Sequence, residues 1–238
     1  MNFAIIAAGN GSRLAQEGLK TPKPLVQVAG EPLLSRLLNI FVRQQADSIS
    51  VIVNEEMTEV QQYLEQWKLN HREVALKVLV RSTPSSMHSL FALCDLLPQG
   101  PFVCTTVDTI FNEREFSAYA SAFAQSPGEF LFGVTSYVED EKPLWIDVDG
   151  QGMISAFSDQ GPAPFVSGGI YGMNREVILP ILQKCLSEGQ CRMRNFQRAL
   201  LLAGVKIRAY EFGKIMDIDH LSDIETAERW LSELHPNI

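Results

Sequence analysis

The chain opens Met1-Asn2-Phe3-Ala4-Ile5-Ile6-Ala7-Ala8-Gly9-Asn10-Gly11-Ser12-Arg13-Leu14. Residues 2–8 form a short apolar run that stops at a glycine turn, which reads as a buried strand feeding a tight loop. No Lys or Arg precedes the run, so it reads as a first strand and not as a secretory leader. The same rhythm continues outward from this stretch. Residues 32–45 place Leu33, Leu34, Leu37, Leu38 and Phe41 on one helical face, with Pro32 suited to the first turn. Residues 48–53 (Ser-Ile-Ser-Val-Ile-Val) are short and β-branched, hence a strand. Helices are expected over 58–69, 86–97 and 112–124, and strands over 74–80, 102–107 and 129–137.

Strands that alternate with helices predict an α/β fold: three layers, α/β/α, around a mostly parallel, Rossmann-like sheet. Such sheets bind ligands beyond the carboxyl ends of their strands. Gly9–Arg13 and Asp108 both follow strands directly, so both fall where a ligand is expected. The second half changes character. Short antiparallel strands are expected over 145–148, 152–157 and 165–173, then helices over 175–186 and 192–203. A strand pair over 206–212 and 214–218 and a closing helix over 221–234 follow. Together these predict one domain over residues 1–238. Its parallel-sheet part spans 1–140, and a small antiparallel lobe with the closing helix spans 141–238.

Composition narrows the function classes. Hydrophobic residues make up 46% and charged residues 20% of the 238, a globular balance able to bury a core. Lys plus Arg is 20 against 28 Asp plus Glu, a net charge of −8. That balance opposes a nucleic-acid partner, which needs a basic footprint. It leaves room for a small phosphate ligand, which needs only a few well-placed cations. No apolar run approaches the ~18–20 residues of a membrane helix. Cys94, Cys104, Cys185 and Cys191 lack C-x-x-C spacing and read as reduced thiols of a cytoplasmic protein. The oligomeric state is open, with a homodimer among the options.

Glycines after a strand let backbone N–H groups converge on an anion. Arg13 adds a fork of donors for phosphate oxygens. Lys23, in Thr21-Pro22-Lys23-Pro24-Leu25, is a point charge between two prolines. Two familiar glycine motifs fail. A dinucleotide fingerprint needs a third glycine where Leu14 stands, and a P-loop needs Gly-Lys-Ser/Thr, which is absent. Asp108 ends the strand Phe102–Val107 and suits a Mg²⁺ that keeps most of its waters, or a turn. In Met216-Asp217-Ile218-Asp219-His220, Asp217 and Asp219 stand at i and i+2 on a strand and share a face, so both can reach one metal, or one can cap the last helix.

These residues resemble the nucleotidyltransferases that join a nucleoside triphosphate to a sugar 1-phosphate. Their glycine-rich signature is written here as Ala7-Ala8-Gly9-x-Gly11-x-Arg13, Pro22-Lys23-Pro24-Leu25 and Gly30-x-Pro32-Leu33. The resemblance is close over about the first 40 residues and looser over most of the rest. It implies the nucleotide-diphospho-sugar transferase fold and a triphosphate held by Ala7, Ala8, Gly9, Asn10, Gly11, Ser12 and Arg13. It implies Lys23 on the reacting phosphate and Mg²⁺ on Asp108, with Asp217 favoured as second ligand and Asp219 as another ligand or a cap. The loop Arg81-Ser82-Thr83-Pro84-Ser85-Ser86-Met87-His88 stands where the family has G-T-A-x-A-L. Ser82, Ser85 and Ser86 are therefore expected on the nucleotide, and Ser85 in place of glycine leaves the base open.

Ser167, Gly168 and Gly169 resemble the family's acceptor segment N-x-G-I-Y. The family's nearby Glu-Lys-Pro is missing at 158–161, although Glu141-Lys142-Pro143 occurs earlier. The resemblance thus implies Mg²⁺-dependent transfer to a sugar 1-phosphate, with compact relatives serving mannose, heptose or N-acetylmuramic acid phosphates. At this length no repeat-built acyltransferase domain is expected. The alternatives are cytidylyl transfer to phosphocholine, guanylyl transfer to molybdopterin, a glycosyltransferase of similar architecture, and a nucleotide sensor without activity.

Overall fold

The computed structural model describes residues 1–126, 128–138 and 141–234. Positions 127, 139–140 and 235–238 of the two parts expected from sequence lie outside them. β1 (Asn2–Ala7) leads into a short helix, α1 (Ser12–Gln16). A 3-10 turn (Lys23–Leu25) and a small hairpin, β2 (Gln27–Val28) with β3 (Glu31–Pro32), precede α2 (Leu33–Arg43). Then come β4 (Ser48–Val53), α3 (Thr58–Asn70), β5 (Ala75–Val80), α4 (Ser86–Leu93), β6 (Pro101–Thr106), β7 (Thr109–Phe111), α5 (Glu113–Gln125) and β8 (Phe130–Thr135). The second half holds β9 (Trp145–Val148), β10 (Ile154–Ser158), β11 (Phe165–Asn174), α6 (Arg175–Ser187), α7 (Met193–Leu202), β12 (Ile207–Phe212), β13 (Ile215–Asp217) and α8 (Leu221–Leu234).

Among the described residues nine strands form one sheet. β5, β4, β1 and β6 lie side by side and parallel. β11 runs antiparallel to β6 and carries β8 on its other side, and β12 joins β8 in parallel. The start of β11 instead pairs β9, which pairs β10, so the small lobe grows out of the main sheet. The fold is the mostly parallel α/β sheet of the nucleotide-diphospho-sugar transferases.

The alternation of β1 produces the three layers. Phe3, Ile5 and Ala7 enter one core with side chains of α2, α3, α5 and α8, while Ala4, Ile6 and Ala8 enter the other with α4, α6 and α7. Phe3 stacks on Phe41 of α2 with ring centroids 4.3 Å apart, which locks the first strand to the first long helix. β4 is buried along its whole length because β1 and β5 flank it and helices cover both faces.

One expectation fails. Residues 206–212 and 214–218 do not pair with each other. β12 aligns with β8 over six residues, and β13 pairs with β7 instead. Between them the Gly213 N–H donates to Glu115 on α5, so the chain turns away from a hairpin. The short strands β2, β3 and β7 also lie outside the sequence reading. At two or three residues they carry no periodicity to detect.

Candidate nucleotide-transfer site

Two clefts meet at Arg13 and Asp219. The larger, about 410 Å³, opens at the carboxyl ends of β1 and β6. It is lined by Gly9–Arg13, Lys23, Thr83–Ser86, Ser89 and Asp108. Gly11 has φ +59°, and a Cβ there would stand 3.0 Å from the Lys23 Cβ. That glycine is what lets the loop and the Lys-Pro turn close on each other. Gly9 differs: a Cβ there would meet nothing within 4 Å, so the protein itself does not require the glycine. The open space suits a ligand that approaches the backbone closely.

Four charges far apart in sequence converge on the cleft floor. Lys23 Nζ donates to Asp108 Oδ2 at 2.5 Å and to Asp219 Oδ1 at 2.7 Å, and Arg13 donates to the other Asp219 oxygen at 2.5 Å. The Lys23 side chain is only 9% exposed. Burial alone would lower its pKa, but the charges of Asp108 and Asp219 outweigh burial and hold it above the ordinary lysine value. Burial would raise Asp219, but Lys23 and then Arg13 hold its carboxyl below the usual range. Lys23 therefore stays cationic at any working pH.

Asp217 behaves differently. It sits at the end of β13, accepts a hydrogen bond from Thr109 Oγ1 at 3.0 Å, and lines the second cleft. The protein mass around it and the charge of Asp108 raise its pKa, while Lys23 and Thr109 oppose the rise. Its side chain is open to solvent in the cleft, and water offsets part of that rise. Asp219 is not a helix cap. The backbone N–H groups of Asp219 and His220 donate to Asp223, and that of Leu221 donates to Glu17. His220 contacts Glu17 through Nδ1 at 2.5 Å. Among the described residues no group of three or more His, Cys, Asp or Glu is arranged to hold a metal. Magnesium commonly takes one or two carboxylates plus substrate phosphates. Asp108 with Asp219 fits such an ion, since both carboxylates line the larger cleft around Lys23, whereas Asp217 lines only the second cleft.

The wall opposite the glycine loop is the turn into α4. Ser85 is extended, at φ −163°, and serves as the N-cap: its Oγ accepts from the His88 N–H and lies 2.9 Å from His88 Nδ1. Thr83 and Ser89 hydroxyls meet at 2.6 Å. Ser85 and Ser86 line the cleft, whereas Ser82 stands behind it, bonded to Asn54. Ala7 is buried beneath the loop, and Ala8, Gly9, Asn10, Gly11 and Ser12 line the space.

The second cleft, about 90 Å³, is lined by Thr135, Tyr137, Glu141, Ser167, Gly168, Asp217 and Asp223 beside Arg13 and His220. Glu141 and Pro143 reach it, while Lys142 lines an open groove next to it. Gly169 is absent from the lining. It has φ +70°, and a Cβ there would stand 2.8 Å from Thr109 Oγ1 and 2.9 Å from Thr106 Oγ1. Those hydroxyls are 2.6 Å apart, and Thr109 in turn holds Asp217. The sequence reading missed Asn54, Thr106, Thr109 and Glu17. The one available signal was a polar residue, Asn54, standing directly at the end of a β-branched strand.

Comparison with known proteins bears on the fold and the family. The structure of a putative glucose-1-phosphate thymidylyltransferase from Bacillus anthracis, solved with sucrose, superposes with a TM-score of 0.84. It is 19% identical and covers 97% of this chain and 94% of its own. The inositol-1-phosphate CTP transferase of T. maritima gives 0.78 at 16% identity, covering 98% and 96%. Both likenesses concern the fold. A 2-aminoethylphosphonate cytidylyltransferase of Lancefieldella rimae is 32% identical over 144 residues, which is 55% of each chain. The chain thus spans about half the length of that curated relative. No helix among the described residues is long and apolar enough to cross a membrane. Residues 3–169 match the model of the MobA-like NTP transferase domain, and the glycine loop, Lys23 and Asp108 all lie inside that match. The chain belongs to this family of nucleotidyltransferases.

Proposed function

We propose that the protein transfers a nucleotidyl group from a nucleoside triphosphate to a small, non-sugar acceptor bearing a phosphate or phosphonate, and releases pyrophosphate. The observation that carries the reading is the contact of Lys23 with both Asp108 and Asp219 at the floor of a glycine-walled cleft. An acceptor oxygen attacks the α-phosphorus in line, and the bond to the oxygen bridging the β-phosphorus breaks. The nucleophile is already ionised, so positioning and charge stabilisation carry the rate and no strong base is needed. Lys23 stabilises charge on the α-phosphate. Arg13 and the backbone of Gly9–Ser12 hold the departing pyrophosphate. Asp108, with Asp219, would hold Mg²⁺, which polarises the phosphate oxygens. Residues 1–140 act as the nucleotide-binding part, and residues 141–238 supply the acceptor side.

Sequence resemblance points first to a sugar 1-phosphate acceptor. Two observations favour a non-sugar one. The cytidylyltransferase relative acts on 2-aminoethylphosphonate by its name. The second cleft also sets Glu141, Asp217 and Asp223 against Arg13, with Asp219 already engaged by Lys23 and Arg13. A dianionic sugar phosphate meets net repulsion there, whereas an acceptor with an ammonium group brings its own compensation. CTP with 2-aminoethylphosphonate or phosphocholine is the expected pair. The test is pyrophosphate release from a matrix of four triphosphates against these acceptors, inositol 1-phosphate and several sugar 1-phosphates. Turnover only with sugar phosphates would overturn the acceptor, and no release from any pair would overturn the activity.

A further inference from the structure

Asn54 follows the last residue of β4, is 5% exposed, and touches both walls of the nucleotide cleft without lining it. Its Nδ2 donates to Asn10 Oδ1 at 2.7 Å and reaches the Ala8 carbonyl at 3.4 Å, on the glycine loop. Its Oδ1 accepts from Ser82 Oγ at 2.9 Å, on the strand-to-helix turn opposite, and from the Glu56 N–H at 3.0 Å. Ser82 Oγ also receives the Glu55 N–H at 3.4 Å. One buried amide thus spends its donor end on the glycine loop and its acceptor end on the turn that faces that loop across the cleft.

We propose that Asn54 is a positioning residue that fixes the separation of the two walls, and so sets both triphosphate affinity and base discrimination. The inference rests on the reading of the larger cleft as the triphosphate site. β1 and β4 are adjacent and parallel, paired in register from Asn2 with Ser48 to Ala7 with Val53. Their ends are rigid, but the loops that leave them are not in the ladder. The glycine loop has only five residues of helix behind it, and Gly9 and Gly11 supply no side chains to pack. The loop therefore needs an outside anchor, and Asn10 is the loop residue that takes one. The facing wall is stiff within itself through the Ser85–His88 and Thr83–Ser89 contacts, but those contacts do not reach the glycine loop. The bonds through Asn54 make that link. A residue serving only to close the turn after β4 would need the Glu56 bond alone, an ordinary Asx turn. The bonds to Asn10 and Ser82 exceed that need.

Removing the amide cuts the tie to both walls; Asn10 and Ser82 are exposed, so water can take over their lost bonds and the cost falls on the order of the two loops. The loss appears in ligand affinity because each loop must then be ordered by the ligand. The measurement is calorimetric titration of CTP, GTP, ATP and UTP with Mg²⁺ into the full chain, without acceptor. For Asn54→Ala, affinity for the triphosphates is expected to fall about tenfold and the spread among the four bases to narrow, with the thermal midpoint reported alongside. Asn10→Ala cuts the loop end alone and is expected to weaken all four triphosphates alike. Ser82→Ala cuts the wall end alone and is expected to change the ranking of the bases. These two accessible variants keep the test open if Asn54→Ala fails to fold. Affinities and ranking within twofold of the unaltered protein in every folded variant would overturn the brace. Failure of the unaltered protein to bind any triphosphate would instead overturn the reading of the cleft.

Discussion

The two clefts share Arg13 and Asp219 but are built from different materials. The larger follows the ends of the parallel strands β1 and β6. Its charges are neutralised in pairs: Lys23 against Asp108 and Asp219, Arg13 against Asp219. The smaller follows antiparallel strands and collects carboxylates with few cations. A pre-paired site can exchange its internal partners for a polyanion and its metal without leaving a charge unmatched. An acid-lined site discriminates by what it repels. The contrast suggests a donor side that is generic to the family and an acceptor side that carries the individual specificity.

The sharpest way to break this contrast lies on the donor side. Lys23→Ala and Asp108→Ala are expected to lower pyrophosphate release by at least about 10²–10³, the usual loss when one charge-stabilising contact disappears. Circular dichroism should show folded protein in both. Near-normal turnover in both would move the reaction elsewhere in the molecule. The next effect concerns the joint between the clefts. Gly169→Ala forces a methyl group against Thr106 and Thr109 at φ +70°. The expected cost is roughly 1–3 kcal/mol of stability, read by urea denaturation. Because Thr109 holds Asp217, acceptor KM should rise while triphosphate affinity holds. An unchanged denaturation midpoint would mean that β11 relaxes freely around Gly169.

Much of the donor side was legible because its chemistry is local. A strand, two glycines, Arg13 and Lys23 lie within 23 residues, and Gly11 is needed by Lys23 itself. The acid pair was harder. Asp217 and Asp219 share a face only while the strand continues, but β13 ends at Asp217. Past that point the period of two no longer applies: both carboxylates line the second cleft, but only Asp219 also reaches the larger one. The pairing of β12 with β8, across α6 and α7, is likewise a long-range choice that adjacent sequence could not reveal. Asn54 looks in sequence like ordinary strand punctuation, since both its wall contacts are about 30 to 45 positions away.

A smaller effect sharpens the acceptor side. Glu141→Gln is expected to raise KM for an amine-bearing acceptor roughly three- to tenfold, the scale of accessible charge pairs. An isosteric acceptor without the amine should gain or stay level. Steady-state kinetics with both acceptors would show it, and an equal loss for both would remove the charge argument for the second cleft.

The smallest effect concerns the tie that seats the Asp219 segment. The hydrogen bond that the His220 imidazole donates to the Glu17 carboxylate raises the pKa of His220 above its ordinary 6.5. The backbone N–H of Leu221, and then His220, lower that of Glu17 below 4.5. The histidine's contribution to stability is complete below 6.5 and disappears as pH rises through its higher folded value. That of the glutamate is complete above 4.5 and disappears as pH falls through its lower folded value. The tie is therefore at full strength between these two ordinary values. On the alkaline side His220 loses its charge, so the contact that holds the Asp219 segment against Glu17 weakens while the Leu221 bond stays. A proton NMR titration should place His220 above 6.5, and Glu17→Gln should bring it back toward that value. If His220 titrates at or below 6.5 in the unaltered protein, the α1–α8 contact is not electrostatic, and the position of Asp219 rests on Lys23 and Arg13 alone.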